Sequence, residues 1–257
     1  MSVIIPAYNE EKSISEVVRG IRGVFERQEF PFEIIVVNDG SRDRTKEEAL
    51  SAGATVISRP TNLGYGNALK LGVLRSKYDH VAICDADTTY EPEDFTRLIP
   101  FAESFDMVVG AREGREFLGH GWKRIGRWFQ LQLVRLTIGR YIPDANSGMR
   151  IFQKSILLRY LPGLCGGFSF TTSISLVLHS TERAVKYLPI HYYSRTGTSH
   201  VHFVHDTLRS MQLLLQAILK YNPIKAFLFL SSLPAAMALV SLGGSIPRKP
   251  LRSAVKR

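Results

Sequence analysis

The sequence predicts an α/β fold built on a mostly parallel sheet with helices on both faces. Three apolar runs carry that expectation: Val3-Ile4-Ile5, Ile34-Ile35-Val36-Val37 and Val81-Ala82-Ile83-Cys84. Each ends in polar residues at a turn, and helical periodicity lies between them, the pattern that builds parallel sheets. Open sheets of this kind place ligands at the carboxyl ends of their strands. There the chain sets Asn9 and Glu10, then Asp39, then Asp85-Ala86-Asp87.

The elements follow in order. Ile14, Val17, Val18, Ile21, Val24 and Phe25 recur at helical spacing, so residues 11–28 form an amphipathic helix. Pro31 closes the connection, and a strand runs over 32–37. A helix starts at Ser41 and continues through Leu50, and a short strand spans 54–58. Asn62-Leu63-Gly64-Tyr65-Gly66-Asn67-Ala68 is a glycine-bearing turn into a helix ending near Ser76. Beyond Asp87 the pattern loosens, with strands at 107–110, 149–152 and 185–193 and a helix reaching about Arg140 after a basic stretch containing Trp122 and Trp128. Val204, Leu208, Met211, Leu215 and Ile218 give one last helix a single apolar stripe.

At 257 residues the chain accommodates one large α/β domain, placed at 1–200, and an appendage over 201–257. Thirty-three basic against 23 acidic side chains give a net charge of +10. The excess is uneven: ten Lys/Arg against three Asp/Glu lie between Arg112 and Arg159, and five basic residues follow Ser245. Nucleic acid, anionic lipid and a phosphorylated substrate are all partners for such a balance. Cys84 and Cys165 fit neither a disulfide framework nor a zinc spacing. With the first strand opening at residue 3 and no leader ahead of it, the catalytic part is expected in the cytoplasm. No charge lies between Lys225 and Arg248, and the run from Ala226 to Leu242 approaches the roughly 20 residues that span a bilayer. Pro234 interrupts it and basic residues flank both ends, which favours an anchor in the membrane surface over a true span.

Two carboxylates one residue apart at a strand end point to one side and can face one cation. Hard carboxylate oxygens completed by phosphate oxygens suit Mg²⁺ or Mn²⁺. Asp39, in Asn38-Asp39-Gly40-Ser41, also suits a plain Asx-turn leading into a helix.

In combination and order, these motifs resemble the family 2 glycosyltransferases from about Ser2 to Phe227. The resemblance implies a GT-A type fold and inverting transfer from a nucleotide sugar of the GDP-mannose or UDP-glucose type. It implies that Pro6, Ala7, Tyr8, Asn9, Glu10 and Asp39 line the nucleotide pocket, and that Asp85 and Asp87 carry the metal and the diphosphate. Arg195, in Arg195-Thr196-Gly197-Thr198-Ser199-His200, matches a loop that closes over the donor, with His200 where lysine is usual. Arg112, Lys123, Arg124, Arg127 and Ser147 look like the acceptor-phosphate region of dolichol-phosphate mannose synthases and their polyprenyl-phosphate relatives. Thr88-Thr89-Tyr90 stands where that branch often has a glutamine. The Glu-Asp base and Gln-x-x-Arg-Trp motif of polysaccharide-making relatives are absent. A lipid phosphate is already ionised and attacks without the general base that a hydroxyl requires.

The expected function is therefore hexose transfer to polyprenyl phosphate at the cytoplasmic membrane face, with no nucleic-acid partner. Transfer to a saccharide or lipid hydroxyl is the alternative. A non-catalytic basic peripheral membrane protein is the rival of another class.

Overall fold

The computed structural model describes residues 1–113, 138–139 and 141–193, with single positions between 212 and 234. The chain divides into two units, Met1–Leu214 and Leu215–Arg257. The first is built on seven strands: β1 (Ser2–Ala7), β2 (Glu33–Asn38), β3 (Thr55–Ser58), β4 (His80–Ile83), β5 (Met107–Glu113), β6 (Arg150–Gln153) and β7 (Val185–His191). They form one sheet in the order β3-β2-β1-β4-β6-β5-β7. Only β6 runs against its neighbours. The mostly parallel sheet expected from the sequence is what the structure shows.

Strand alternation sorts the apolar side chains between two faces. Val3, Ile5, Ile34 and Val36 pack under α1 (Ile14–Phe25), whose Val17, Val18, Ile21 and Val24 are buried. Ile4, Ile35, Val37 and Ile83 meet the opposite layer. That layer holds Leu69 and Val73 of α3 (Tyr65–Arg75) and Ile174 and Leu178 of α6 (Phe170–Ser180). Burial on both faces explains why β1 and β2 are continuous apolar runs without a polar alternate. Between these elements lie α2 (Thr45–Ser51), α4 (Phe95–Leu98) and α5 (Lys154–Leu158).

Element ends differ from the sequence expectation where side chains cap loops. Helix α1 starts at Ile14, not 11, because Asn9 takes a positive φ of 56° and the Glu10 carbonyl accepts the Ser13 and Ile14 amides. Helix α2 starts at Thr45, not Ser41: the Ser41 hydroxyl accepts the Asn9 amide and the Thr45 hydroxyl accepts that of Glu10. These bonds fasten the β1 loop to the β2 loop. The last helical stripe, Val204 to Ile218, lies outside the described residues, as does most of 226–246. In the second unit Leu219, Ile224 and Phe227 are helical and exposed. Among the described residues no helix is long and apolar enough to cross a membrane.

The first residue of β6 is the largest fully buried side chain. Nη2 of Arg150 donates to the Ser147 carbonyl at 2.6 Å and to the Ala145 carbonyl at 3.3 Å, and Nε donates to Ser147 at 3.0 Å. Nη1 donates to the Thr171 carbonyl and the Ser175 hydroxyl, each at 3.1 Å. Burial lowers its pKa below the ordinary arginine value, opposed by Tyr187 and Asp144. A cation taken from water needs such a shell of oxygens. Arg150→Met would remove the charge-assisted hydrogen bonds to three buried carbonyls, about 1.5–3 kcal/mol each, and take from the Ser147 carbonyl both guanidinium donors. Urea unfolding should show a loss of about 3 kcal/mol or more, against no change for Arg19→Met on the exposed face of α1; equal midpoints would refute the clamp.

Candidate active site

From β1 the sheet proceeds to β2 and β3 on one side and to β4 on the other. That reversal opens a crevice at the carboxyl ends of β1 and β4, the place where open α/β sheets bind ligands. Pro6, Ala7, Tyr8, Asn9 and Glu10 leave β1 there, and Cys84-Asp85-Ala86-Asp87 leave β4. Because β6 is antiparallel, its first residue pairs with the last of β4, Arg150 with Ile83. The preceding loop, 144–149, is thereby delivered to the same edge.

Asp85 lies in that crevice between two fixed groups. The Tyr65 phenol, from the first turn of α3, donates to Asp85 Oδ1 at 2.7 Å. Burial and the Asp85 charge hold the Tyr65 pKa well above the usual phenol value, so it remains a donor. Gly148 presents bare backbone to the same carboxylate: a Cβ there would fall 2.2 Å from Asp85 Oδ2, 2.5 Å from Cγ and 2.6 Å from Oδ1. The Gly148 amide donates to the buried Tyr90 hydroxyl at 2.7 Å. Asp87 accepts from the Thr89 amide and hydroxyl, which closes the turn after the acid pair. Both aspartates are partly exposed while Ala86 between them is buried, so the alternation in the sequence survives past the strand end.

The donor set fits a hard divalent cation. Among the described residues no three His, Cys, Asp or Glu side chains converge. Two carboxylates whose remaining sites are filled by phosphate and water are the usual protein share for Mg²⁺. The missing Cβ of Gly148 lets its backbone lie against the Asp85 carboxylate.

Asp39, 3% exposed, is engaged within the protein. It accepts from Arg59 Nη1 at 3.2 Å, from the Leu63 amide at 3.2 Å, and from the Gly64 amide at 2.8 Å. It thus ties β2 to the turn that starts α3, a role beside the nucleotide contact implied by the resemblance.

Arg112, at the end of β5, pairs with Asp144: Nε to Oδ2 is 2.7 Å and Nη2 to Oδ1 is 3.0 Å. Asp144 is buried and Arg112 largely so, and the Arg112 guanidinium lies over the Tyr192 ring at 5.1 Å. Burial alone would raise the Asp144 pKa, but Arg112 and two backbone amides hold it below the usual carboxylate range. Ser147 is fully buried, and its hydroxyl accepts the Met149 amide at 3.2 Å. Arg112 and Ser147 therefore flank the 144–149 loop, while Lys123, Arg124, Arg127 and Arg195 lie outside the described residues.

Tyr65, Tyr90 and Arg59 were not singled out in the sequence. Tyr65 sits inside the Gly64-x-Gly66 turn, where two glycines suggest only chain reversal. The glycines admit the Cys165–Gly167 backbone, which would lie 2.4–2.9 Å from a Cβ on either one.

The sequence profile described as glycosyl transferase family 2 matches residues 2–161. The chain belongs to that family. It is 28% identical over 221 residues to the low-salt glycan biosynthesis hexosyltransferase of Haloferax volcanii, covering 84% of this chain and 53% of that protein. It is 32% identical over 200 residues to an undecaprenyl-phosphate 4-deoxy-4-formamido-L-arabinose transferase of Pseudomonas aeruginosa, covering 72% and 58% respectively. The chain thus spans a little over half the length of these relatives. Among solved structures, glucosyl-3-phosphoglycerate synthase from Mycobacterium tuberculosis, with Mn²⁺, UDP-glucose and glycerol 3-phosphate, superposes with a TM-score of 0.68 at 20% identity, covering 84% of this chain and 79% of that one. This family 2 chain has the GT-A type architecture expected from its sequence.

Gly148→Ala places a methyl group against the Asp85 carboxylate and must displace it. Metal-dependent release of nucleoside diphosphate from a donor sugar should fall about 100-fold, the usual cost of misplacing a reacting group by an ångström. Gly163→Ala, in open space, should change nothing. Parental turnover in Gly148→Ala would show that the glycine is dispensable.

Proposed function

We propose that this protein transfers a hexose from a nucleotide diphosphate sugar to polyprenyl phosphate at the cytoplasmic face of a membrane. The observation that carries the reading is the acid pair Asp85/Asp87 at the sheet's switch point, with Asp85 wedged between Tyr65 and Gly148. Mg²⁺ or Mn²⁺ held by these two carboxylates would neutralise charge building on the departing diphosphate. The structural neighbours crystallised with Mn²⁺ or Mg²⁺ and uridine nucleotides support that use of a cation. Pro6, Ala7, Tyr8, Asn9, Glu10 and Asp39 would line the nucleotide end of the crevice, and Arg195 is assigned to the diphosphate from the resemblance of its motif.

The acceptor follows from which groups stand ready to take a proton. Asp39 and Asp144, the two buried carboxylates beside the acid pair, are each bound by an arginine. The described residues leading into α6 from Phe168, Ser169-Phe170-Thr171-Thr172, carry no titratable group. A nucleophile that arrives ionised needs no base from these residues. A phosphate oxygen forms the bond to the anomeric carbon as the bond to the donor's phosphate oxygen breaks, inverting the centre. Lys123, Arg124 and Arg127 would supply the acceptor side, where positive groups offset two meeting anions, while Arg112, neutralised by Asp144, and the fully buried Ser147 hold the neighbouring 144–149 loop instead of meeting the acceptor. The undecaprenyl-phosphate transferases among the relatives support this acceptor, and the segment 201–257 supplies membrane attachment.

Supplying a panel of labelled donor sugars with undecaprenyl phosphate, undecaprenol or free saccharide tests the reading. Product is expected only with the phosphate, and Asp85→Asn or Asp87→Asn should lower turnover about 100-fold or more, a several-kcal/mol loss of charge stabilisation. Equal use of undecaprenol or saccharide would replace the phosphate acceptor with a hydroxyl. Undiminished activity in chelator would remove the metal.

A further inference from the structure

Tyr65 is held more firmly than a helix-opening residue requires. The two amides before it, Leu63 and Gly64, donate to Asp39. Two residues on, the Asn67 amide donates to the Gly166 carbonyl at 2.9 Å. Gly64 takes φ 101°, a conformation that L side chains rarely adopt, and Gly66 lets the Cys165–Gly167 backbone close over the turn. The Tyr65 ring is stacked on Phe168, centroids 5.7 Å apart and planes 18° from parallel. Backbone tethers and a stacked ring thus fix where its phenol lies.

Phenylalanine would satisfy every one of those packing contacts. The hydroxyl adds a hydrogen bond to Asp85 Oδ1 and thereby sets the plane of that carboxylate. It occupies one of about four lone-pair sites and leaves the rest for other partners. The Gly148 backbone lies against the same carboxylate, close to Cγ and both oxygens, and limits how far it can turn. A carboxylate oriented in this manner is prearranged for a cation, as hydrogen-bonded outer groups orient metal ligands elsewhere.

We infer that Tyr65 is a positioning residue for the cation-holding carboxylate Asp85, stationed by Asp39 through the Leu63–Gly64 turn and by the Phe168 ring. The arrangement connects the nucleotide end of the crevice to its diphosphate end through one rigid turn, so Asp39 influences cation binding without touching the cation. This deepens the proposed function and rests on its assignment of the acid pair.

Tyr65→Phe tests it on the full-length protein. Mn²⁺ binding is followed by the loss of the free-ion paramagnetic resonance signal, with a saturating nucleoside diphosphate present. The expected result is a Kd for Mn²⁺ raised about 10–100-fold, with the urea midpoint and the metal-free Kd for the nucleoside diphosphate unchanged. A purely structural tyrosine would instead lower the urea midpoint and leave Mn²⁺ affinity alone; that result, or parental values throughout, overturns the inference while the proposed function stands. If the parent protein itself fails to bind Mn²⁺ in the presence of nucleoside diphosphates, the assignment of the acid pair fails, and this inference falls with it.

Discussion

A guanidinium that cannot reach water governs the geometry of this site. Arg150 opens the one strand that runs against its neighbours, and its charge must be met by oxygens drawn from nearby backbone. The carbonyls that comply belong to Ala145, Ser147 and Thr171, so the 144–149 loop and the start of α6 are bent toward one point. Gly148 is thereby pressed against Asp85, and Asp144 is brought onto Arg112. A buried cation is usually a poor source of net stability; its value here lies in specifying one loop conformation.

The charges at the sheet edge divide into two kinds. Asp39 and Asp144 are buried and bound by arginines, so they act as struts with fixed partners. Asp85 and Asp87 are partly exposed, and each accepts from a neutral donor, Tyr65 on one and Thr89 on the other. Neutral donors orient a carboxylate without cancelling its charge.

The strand-to-turn grammar was legible because it depends on local sequence: doubly buried strands read as continuous apolar runs, and acids following them mark the carboxyl edge. Asp85 and Asp87 were placed at that edge in this way. Helix α6 was not foreseen, because Thr171, Thr172, Ser173 and Ser175 are buried with their hydroxyls bonded internally, and such a helix carries no polar stripe to give the period away. The contacts of Tyr65 and Gly148 with Asp85 escaped for a different reason. Their roles exist only once chain segments roughly 20 and 60 residues from Asp85 meet it, and no spacing rule encodes that meeting. Arg112 had seemed an open cation in a basic stretch, and its buried partner Asp144 lies 32 residues away.

The central claim is that Asp85 and Asp87 together hold the cation that receives the donor diphosphate. Anomalous diffraction at the manganese edge, from crystals of the protein grown with Mn²⁺ and a nucleoside diphosphate, tests it most directly. The account predicts one strong peak about 2–2.5 Å from carboxylate oxygens of both aspartates, bridged to the diphosphate. A peak held by other residues, or an ordered diphosphate with no manganese at Asp85 and Asp87, would contradict it.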